Sequence, residues 1–314
     1  KMAHGFADDL PSTLITATDA PVMVAPAMND RMWASEANQA NLRTLASRGV
    51  EIIDPGSGYL ACGTVAEGRL AEPEAIVERI LERIDGGPLR DRTVLVTAGG
   101  TREPIDAVRW IGNHSSGRMG IAVANAAREM GAEVTLLLGP TELAPPVGIE
   151  TERFTSSEDL RRLLAVHAPD ADAIVMNAAV SDWKPARATR EKLKKDDGLP
   201  SLELEATPDL LAGLAGDRPT GQFLIGFALE SGEDEVVERQ AKRKLEGKRL
   251  DLICGNRADL AEEGFGGDTN RLYLYDRRGE GRWTPRLSKA ELGRVILEHA
   301  LEVAADESSA ESAS

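Results

Sequence analysis

TVLVTAGGTREPIDAVRWIGNHSSGRMG, Thr93 to Gly120, runs from a β-branched strand pattern through a glycine pair and a polar loop into a helix pattern. Thr93 to Thr97 reads as a short buried strand. Gly99 and Gly100 let the backbone turn sharply and approach a ligand with no Cβ in the way. Ser115 or Ser116 can cap a helix that carries Met119, Val123, Ala127 and Met130 on one face, and Gly131 is placed to end it. A strand, a glycine turn and a helix N-terminus together make an anion site, because the first N–H groups of a helix have no intrahelical partner.

A nicotinamide-binding unit has the same outline, but these glycines lack the G-x-G-x-x-G spacing. The following strand, Glu133 to Leu138, also ends in Leu-Gly-Pro without a carboxylate for a ribose. Between glycines and helix lie Arg102, Arg109, Asn113, His114, Ser115, Ser116 and Arg118. One reading is a solvated loop in which Asn113 and the serines act as caps. A Ser-His nucleophile pair lacks an orienting acid. Asn113 with the arginines suits a phosphorylated, carboxylate-bearing substrate, since guanidinium forks match both groups.

The chain of 314 residues has length for one large or two ordinary domains. Its net charge of −15 opposes unspecific binding to nucleic acid or to a membrane surface, so a polyanionic ligand must meet a locally basic pocket. Two cysteines, Cys62 and Cys254, make neither a disulfide framework nor a metal cluster and fit a reducing cytoplasm. No apolar run reaches membrane-spanning length and no signal peptide opens the sequence. Lys1 running straight into MAHGFADDL reads as the interior of a longer protein.

Val22 to Ala25 reads as a strand leading into PAMNDRMW, Pro26 to Trp33, and a helix follows from Ser35 to Gly49. Val50 to Ile53 is the next strand, followed by the loop GYLACGTVAEGR from Gly58 to Arg69. A helix from Pro73 repeats Ile76, Ile80 and Ile84. Residues 86–92 read as a linker. Beyond it, strands at 93–97, 133–138, 172–177, 222–228 and 250–254 alternate with helices, which argues for a mostly parallel sheet covered on both faces. Leu272–Tyr275 and Arg282–Thr284 read as a hairpin. A last helix runs from Ser288 to about Ala304, and the polar residues 305–314 are expected to be disordered.

Cys62, in a glycine-rich loop, is either a reactive thiol or a small buried hydrophobe. PAMNDRMW is unusual in composition, and one reading makes Met28, Met32 and Trp33 simply core, leaving Asn29 as a loop cap. Asn177 to Pro185, NAAVSDWKP, places Asp182 at a strand's carboxyl end, where open α/β sheets bind ligands. A carboxylate there can hold Mg²⁺ beside a triphosphate or simply make a turn. Two basic runs follow, EKLKK with Lys192, Lys194 and Lys195, and AKRKLEGKR with Lys242, Lys244, Lys248 and Arg249. Lys244 and Lys248 share a helix face. Each run alone reads as a solvated face, but two beside an aspartate in an acidic chain point to a triphosphate site. The residues alone thus describe an α/β enzyme using a nucleoside triphosphate. The rivals are a nicotinamide oxidoreductase and a non-catalytic nucleotide-binding module.

Together these motifs resemble the bifunctional phosphopantothenoylcysteine decarboxylase/phosphopantothenate–cysteine ligase family of coenzyme A biosynthesis. Residues 1–85 are similar to the C-terminal part of its flavodoxin-like, FMN-dependent decarboxylase domain, whose PxMNxxMW motif stands at Pro26 to Trp33. The resemblance implies that Asn29 grips the substrate carboxylate and that Cys62 protonates the enethiolate left by oxidative decarboxylation. Ala66 stands where the family usually has glycine. The family's flavin-binding segment and catalytic histidine lie upstream of Lys1, so decarboxylation by this chain alone is not expected. Residues 93–304 are similar to the Rossmann-like ligase domain. There the resemblance implies that CTP activates 4'-phosphopantothenate as an acyl-cytidylate and that the amine of cysteine displaces CMP. It assigns Arg109 and Asn113 to the substrate and intermediate, and Met176, Asn177 and Ala178 to the cytidine. Asp182 goes to Mg²⁺ and the phosphates and Lys192 to the first step, while Pro208, Asp209, Leu210, Leu211, Phe227, Lys244 and Lys248 complete the nucleotide pocket. The family forms ligase dimers and, through decarboxylase trimers, larger assemblies, a dodecamer in the full-length protein.

Overall fold

In a computed structural model of the protein, the 93–97 stretch becomes strand β1 (Thr93–Ala98), in the middle of an eight-stranded sheet. The structure describes residues 1–59, 65–84, 86–194, 201–258 and 267–311. The chain divides into two units, Lys1–Asp85 and Gly86–Ser314.

The larger unit holds the sheet. Its other strands are β2 (Glu133–Leu138), β3 (Glu150–Arg153), β4 (Ala173–Met176), β5 (Phe223–Glu230), β6 (Leu252–Arg257), β7 (Tyr273–Asp276) and β8 (Gly281–Trp283). They lie in the order β8-β7-β6-β5-β4-β1-β2-β3. β1 to β6 run parallel, β7 pairs antiparallel with β6, and β8 antiparallel with β7. The parallel part has the strand order of dinucleotide-binding folds, 3-2-1-4-5-6. Strand order reverses between the parallel neighbours β1 and β4, so the cleft beyond their carboxyl ends is where such a sheet takes ligands.

Five helices cover the sheet: α1 (Arg118–Glu129), α2 (Ser157–His167), α3 (Leu210–Asp217), α4 (Asp234–Lys248) and α5 (Lys289–Glu311). Side chains alternate across a strand, and here both faces are buried. Val94 and Val96 join a core with Val123 and Ala127 of α1 and Leu292 and Ile296 of α5. Leu95 and Ile174 join a second core with Leu160 of α2 and Leu245 of α4. Burial on both faces is why these strands read as continuous apolar runs.

Two glycines set the geometry around β1. A Cβ at Gly120, in the first turn of α1, would lie 2.5 Å from the Ala98 Cβ and 2.9 Å from the Thr97 carbonyl oxygen. Its absence lets the helix start touch the strand end. Gly117 adopts φ +74° and is the N-cap of α1, with no side-chain cap. The expected serine cap is therefore corrected. Ser115 and Ser116 meet the N–H groups of Gly117 and Arg118 at only 3.4 and 3.5 Å, because the incoming loop enters left-handed and holds both hydroxyls back.

The stretch read as a linker is packed within the larger unit, where Leu89 is buried and donates its N–H to the Met130 carbonyl at 2.8 Å. The last helix does not stop near Ala304. It continues to Glu311, through part of the expected disordered tail, where Ala and Glu favour helix. Residues 312–314, like Asp85 and Lys195, lie outside the described residues.

The smaller unit is also α/β. A parallel pair, Met23–Val24 with Glu51–Ile52, is joined by the helices Leu10–Ala17, Asp30–Trp33, Glu36–Ser47 and Pro73–Ile84 and by an antiparallel hairpin, Gly56–Tyr59 with Val65–Arg69. Among the described residues, no helix is long and apolar enough to cross a membrane.

Candidate functional site

The carboxyl ends of β1 and β4 are tied together. Thr97 is fully buried, and its hydroxyl accepts the N–H groups of Asn177 and Ala178 at 3.1 and 3.0 Å. Beyond the sheet the two loops continue as a short ladder. The Ala179 N–H donates to the Gly99 carbonyl at 2.8 Å, and the Thr101 N–H to the Ala179 carbonyl at 3.2 Å. The Ser181 N–H then donates to the buried Thr101 hydroxyl at 3.0 Å. Because of this ladder the NAAV segment is fixed in place before any ligand arrives.

The polar loop after Gly100 folds into a small antiparallel arm, Glu103–Pro104 with Trp110–Ile111. At its turn, Asp106 is buried and accepts the N–H groups of Val108 and Arg109 at 2.8 and 2.7 Å and the Arg109 guanidinium at 3.1 Å. It also accepts the Leu193 N–H at 3.2 Å, next to Lys192 in sequence. The Thr189 N–H donates to the Ile105 carbonyl at 3.1 Å, so the 189–193 segment is docked on the arm at two points. The Val108 N–H, above all, holds the Asp106 carboxyl below the ordinary carboxylate range. Arg109 and the backbone of Leu193, the residue after Lys192, are thus held by one carboxylate.

Two adjoining cavities open at the strand ends. The wider, of about 700 Å³, is lined by Asn113, Met176, Ala178, Asp182, Pro208, Asp209, Leu210, Leu211, Phe227, Lys244 and Lys248 among others. The narrower, of about 180 Å³, shares Met176, Ala178 and Phe227 and adds Asn177, Gly117, Asn256, Asn270 and Lys289. Arg109 and Lys192 line neither. Asn113 donates its amide to the Val180 carbonyl at 3.0 Å, which leaves the amide oxygen to the cavity.

Lys244 and Lys248 are not the free cations that a basic run suggests. Lys244 pairs with Glu230 at 2.7 Å and Lys248 with Asp209 at 2.8 Å. Asp209 also caps α3 by accepting the Ala212 N–H at 3.0 Å. Burial alone would raise its carboxyl, but Lys248 and that N–H outweigh burial and hold it below the usual range. The Asp182 carbonyl accepts the Thr207 N–H at 2.9 Å, leaving its exposed carboxylate at the cavity. Among the described residues, no group of three or more His, Cys, Asp or Glu could hold a metal ion. A Mg²⁺ ion here would rest on the Asp182 carboxylate alone, with phosphates and water supplying its remaining oxygens, a donor set that Mg²⁺ commonly takes.

In the smaller unit, Asn29 accepts the Met32 N–H at 2.8 Å and so caps the short helix Asp30–Trp33, while its amide nitrogen stays available. Cys62 lies outside the described residues. Asp106, Thr97, Asn256 and Lys289 escaped the sequence reading. Thr97 ended a strand pattern, and Lys289 stood at the start of the last helix with no motif around it. Only the partnering of Asp106 across 87 positions, invisible in the sequence, marks it out.

The family of the DNA/pantothenate metabolism flavoprotein C-terminal domain matches residues 89–303, and the Flavoprotein family matches residues 1–85. The Coenzyme A biosynthesis bifunctional protein CoaBC of Vibrio vulnificus is 42% identical over 95% of this chain and 74% of its own length. The protein of the same name in Bacillus subtilis is 40% identical over 95% of this chain and 73% of its own. The crystal structure of the C-terminal domain of a CoaBC protein superposes with a TM-score of 0.59 at 35% identity, covering 69% of this chain and 98% of that one. The chain belongs to the DNA/pantothenate metabolism flavoprotein family, among the bifunctional CoaBC proteins of coenzyme A biosynthesis.

Proposed function

We propose that residues 93–304 form a phosphopantothenate–cysteine ligase domain and residues 1–85 the C-terminal part of a phosphopantothenoylcysteine decarboxylase. The reading rests chiefly on one cavity at the reversal point of the sheet, where Asn113 faces Asp182, Lys244 and Lys248 across a space of about 700 Å³. A carboxylate oxygen of 4'-phosphopantothenate attacks the α-phosphorus of CTP and pyrophosphate leaves. The amine of cysteine then attacks the acyl carbon, forming the amide and expelling CMP. Met176, Asn177 and Ala178 line the cytidine site, and the lysines take the charge of the leaving pyrophosphate. Mg²⁺ on Asp182 would neutralise phosphate charge when bound. Incubating the protein with CTP, Mg²⁺, 4'-phosphopantothenate and cysteine should release pyrophosphate and CMP in equal amounts. Absence of both would refute the ligase reading.

Lys244→Gln or Lys248→Gln should weaken CTP binding by about 1.5–3 kcal/mol, roughly 10- to 150-fold in Kd. Titration calorimetry at two ionic strengths checks this, since the variants should also respond less to salt. Unchanged affinity in both would return α4 to a solvated face.

FMN is the cofactor the family match suggests for the smaller unit. Its phosphate needs a cradle of backbone N–H groups or basic side chains. The loop after the Met23–Val24 strand reads Ala-Pro-Ala-Met-Asn, so the described residues there supply no such cradle and no decarboxylation step is derived through flavin. Asn29 would hold the carboxylate of the decarboxylase substrate.

The ligase unit also pairs with a second copy of itself. Val108 and Trp110 on the 103–111 arm, and Trp183 and Leu204 on the hairpin Trp183–Pro185 with Leu204–Ala206, are exposed apolar side chains. Trp183→Ser should weaken self-association by about 2–4 kcal/mol, as expected for a central interface tryptophan. Sedimentation equilibrium measures it, and an unchanged association constant would exclude this face.

A further inference from the structure

The wide cavity holds a donor that the resting protein leaves unused. Lys244, Lys248 and Asn113 line it and are all engaged, with Glu230 at 2.7 Å, Asp209 at 2.8 Å and the Val180 carbonyl at 3.0 Å. Thr207 lines it too, and its hydroxyl oxygen is shielded from solvent yet has no hydrogen-bond partner among the described residues. Such a hydroxyl has given up water and gained nothing in return, so its state is unfavourable until something meets it. The Gln240 amide oxygen is in the same condition, but Gln240 lines neither cavity.

Thr207 stands directly after the short strand Leu204–Ala206 and directly before Pro208. Its N–H donates to the Asp182 carbonyl at 2.9 Å, which extends by one pair the antiparallel register of Trp183 with Ala206, Lys184 with Glu205 and Pro185 with Leu204. Residues paired across such a ladder project to one side, and so do side chains two apart on a strand. The Lys184–Glu205 ion pair at 3.3 Å shows this for the next pair on that side. Asp182 and Thr207 therefore project together, and both line the cavity. Two positions further on, Asp209 holds Lys248. A polyanion drawn to Lys248 thus meets two carboxylates, Asp182 and Asp209, in the cavity lining. A neutral donor between them offsets that repulsion without adding charge of its own. The lysines must let go of their carboxylates to serve a ligand, whereas the Thr207 hydroxyl breaks no bond to do so. Rotation about χ1 carries it between staggered positions.

We propose that the Thr207 hydroxyl turns into the wide cavity when a nucleotide binds and donates a hydrogen bond to a phosphate oxygen beside Asp182, so that Thr207 distinguishes the triphosphate from its nucleoside. This rests on the ligase reading, in which the cavity takes CTP.

The test is calorimetry of CTP with Mg²⁺, and of cytidine, on the unaltered protein, Thr207→Val and Thr207→Ser. Thr207→Val keeps the branched shape and removes the hydroxyl. It should weaken CTP binding about 10- to 100-fold, the range for a hydrogen bond to a charged group, and leave cytidine binding unchanged. Thr207→Ser should bind CTP nearly as well as the unaltered protein. Without ligand, Thr207→Val should melt no lower than the unaltered protein, because the hydroxyl it loses had no partner, whereas a purely structural hydroxyl would lower the melting temperature when removed. Unchanged CTP affinity in Thr207→Val, an equal loss for cytidine, or a lower melting temperature without ligand would overturn the proposal. Should the unaltered protein bind no CTP, the ligase reading falls instead. Inorganic triphosphate with Mg²⁺ then decides the role of Thr207, weaker binding to Thr207→Val than to the unaltered protein supporting it and equal binding or none refuting it.

Discussion

Lys192→Gln is expected to abolish pyrophosphate release from CTP and 4'-phosphopantothenate, while Asn113→Asp is expected to release it and stall. Lys192 is exposed and lines neither cavity, and the next residue is pinned by Asp106; the ligase reading requires its ammonium to reach the wide cavity. There it would meet the charge that develops as pyrophosphate departs, and loss of one such donor costs about 10²–10³ in rate. Asn113 acts differently. Its amide donates to the Val180 carbonyl at 3.0 Å, and an aspartate would turn that donor into an anion facing a carbonyl oxygen. The same anion would lie beside the phosphate and carbonyl oxygens of the acyl-cytidylate, where a neutral amide orients without adding charge. The second step suffers most. Mass spectrometry of quenched single-turnover mixtures should find acyl-cytidylate accumulating in Asn113→Asp and absent in Lys192→Gln. The opposite pattern reverses the two roles, and normal turnover in both variants removes the site from this cleft.

Asp106→Ala is expected to lower ligase kcat/KM about 10²-fold, the usual consequence of displacing a positioning element by an ångström. Asp106 acts through its neighbours. Without its carboxylate, the Val108, Arg109 and Leu193 N–H groups lose their acceptor, the Arg109 guanidinium loses its partner, and the backbone next to Lys192 is released. Hydrogen exchange separates this from a general loss of structure, since the Leu193 amide should lose protection while β1 amides keep theirs. Unchanged protection at Leu193 would remove Asp106 from the positioning role. A pH dependence follows as well. The carboxyl is held below its unfolded value, so its stabilising contribution is complete above about pH 4 and is lost as pH falls through the lower folded value. The 189–193 segment should therefore loosen in acid before β1 does.

The parallel sheet was legible because both its faces are covered, which makes Thr93–Ala98, Glu133–Leu138 and Phe223–Glu230 apolar nearly throughout. The cleft was legible for a related reason: the polar breaks that follow such runs fall at strand ends, where Asn113, Asn177 and Asp182 stand. Strands of two or three residues, as in the arms at 103–111 and 183–206, carry no period, so the arms and the clamp between them were missed. The edge strand Glu150–Arg153 is polar and was missed for the same want of pattern. The serine cap failed because a cap depends on the backbone angle of the residue before the helix, and that residue is Gly117 at φ +74°. The paired state of Lys244 and Lys248 is a tertiary fact. Glu230 and Asp209 lie 14 and 39 positions away in sequence.

That pairing makes the wide cavity a valence filter. With Glu230 on Lys244 and Asp209 on Lys248, both lysines are neutralised at rest and Asp182 adds a negative charge, so a chloride or a monovalent phosphate ester entering it must break an existing ion pair to gain an equal one. On the ligase reading, a triphosphate would bring enough charge to engage both lysines at once, and its bound cation would neutralise the displaced carboxylates. On that reading the cavity would stay indifferent to the small anions that crowd a cell and still respond to a nucleotide that carries its own metal.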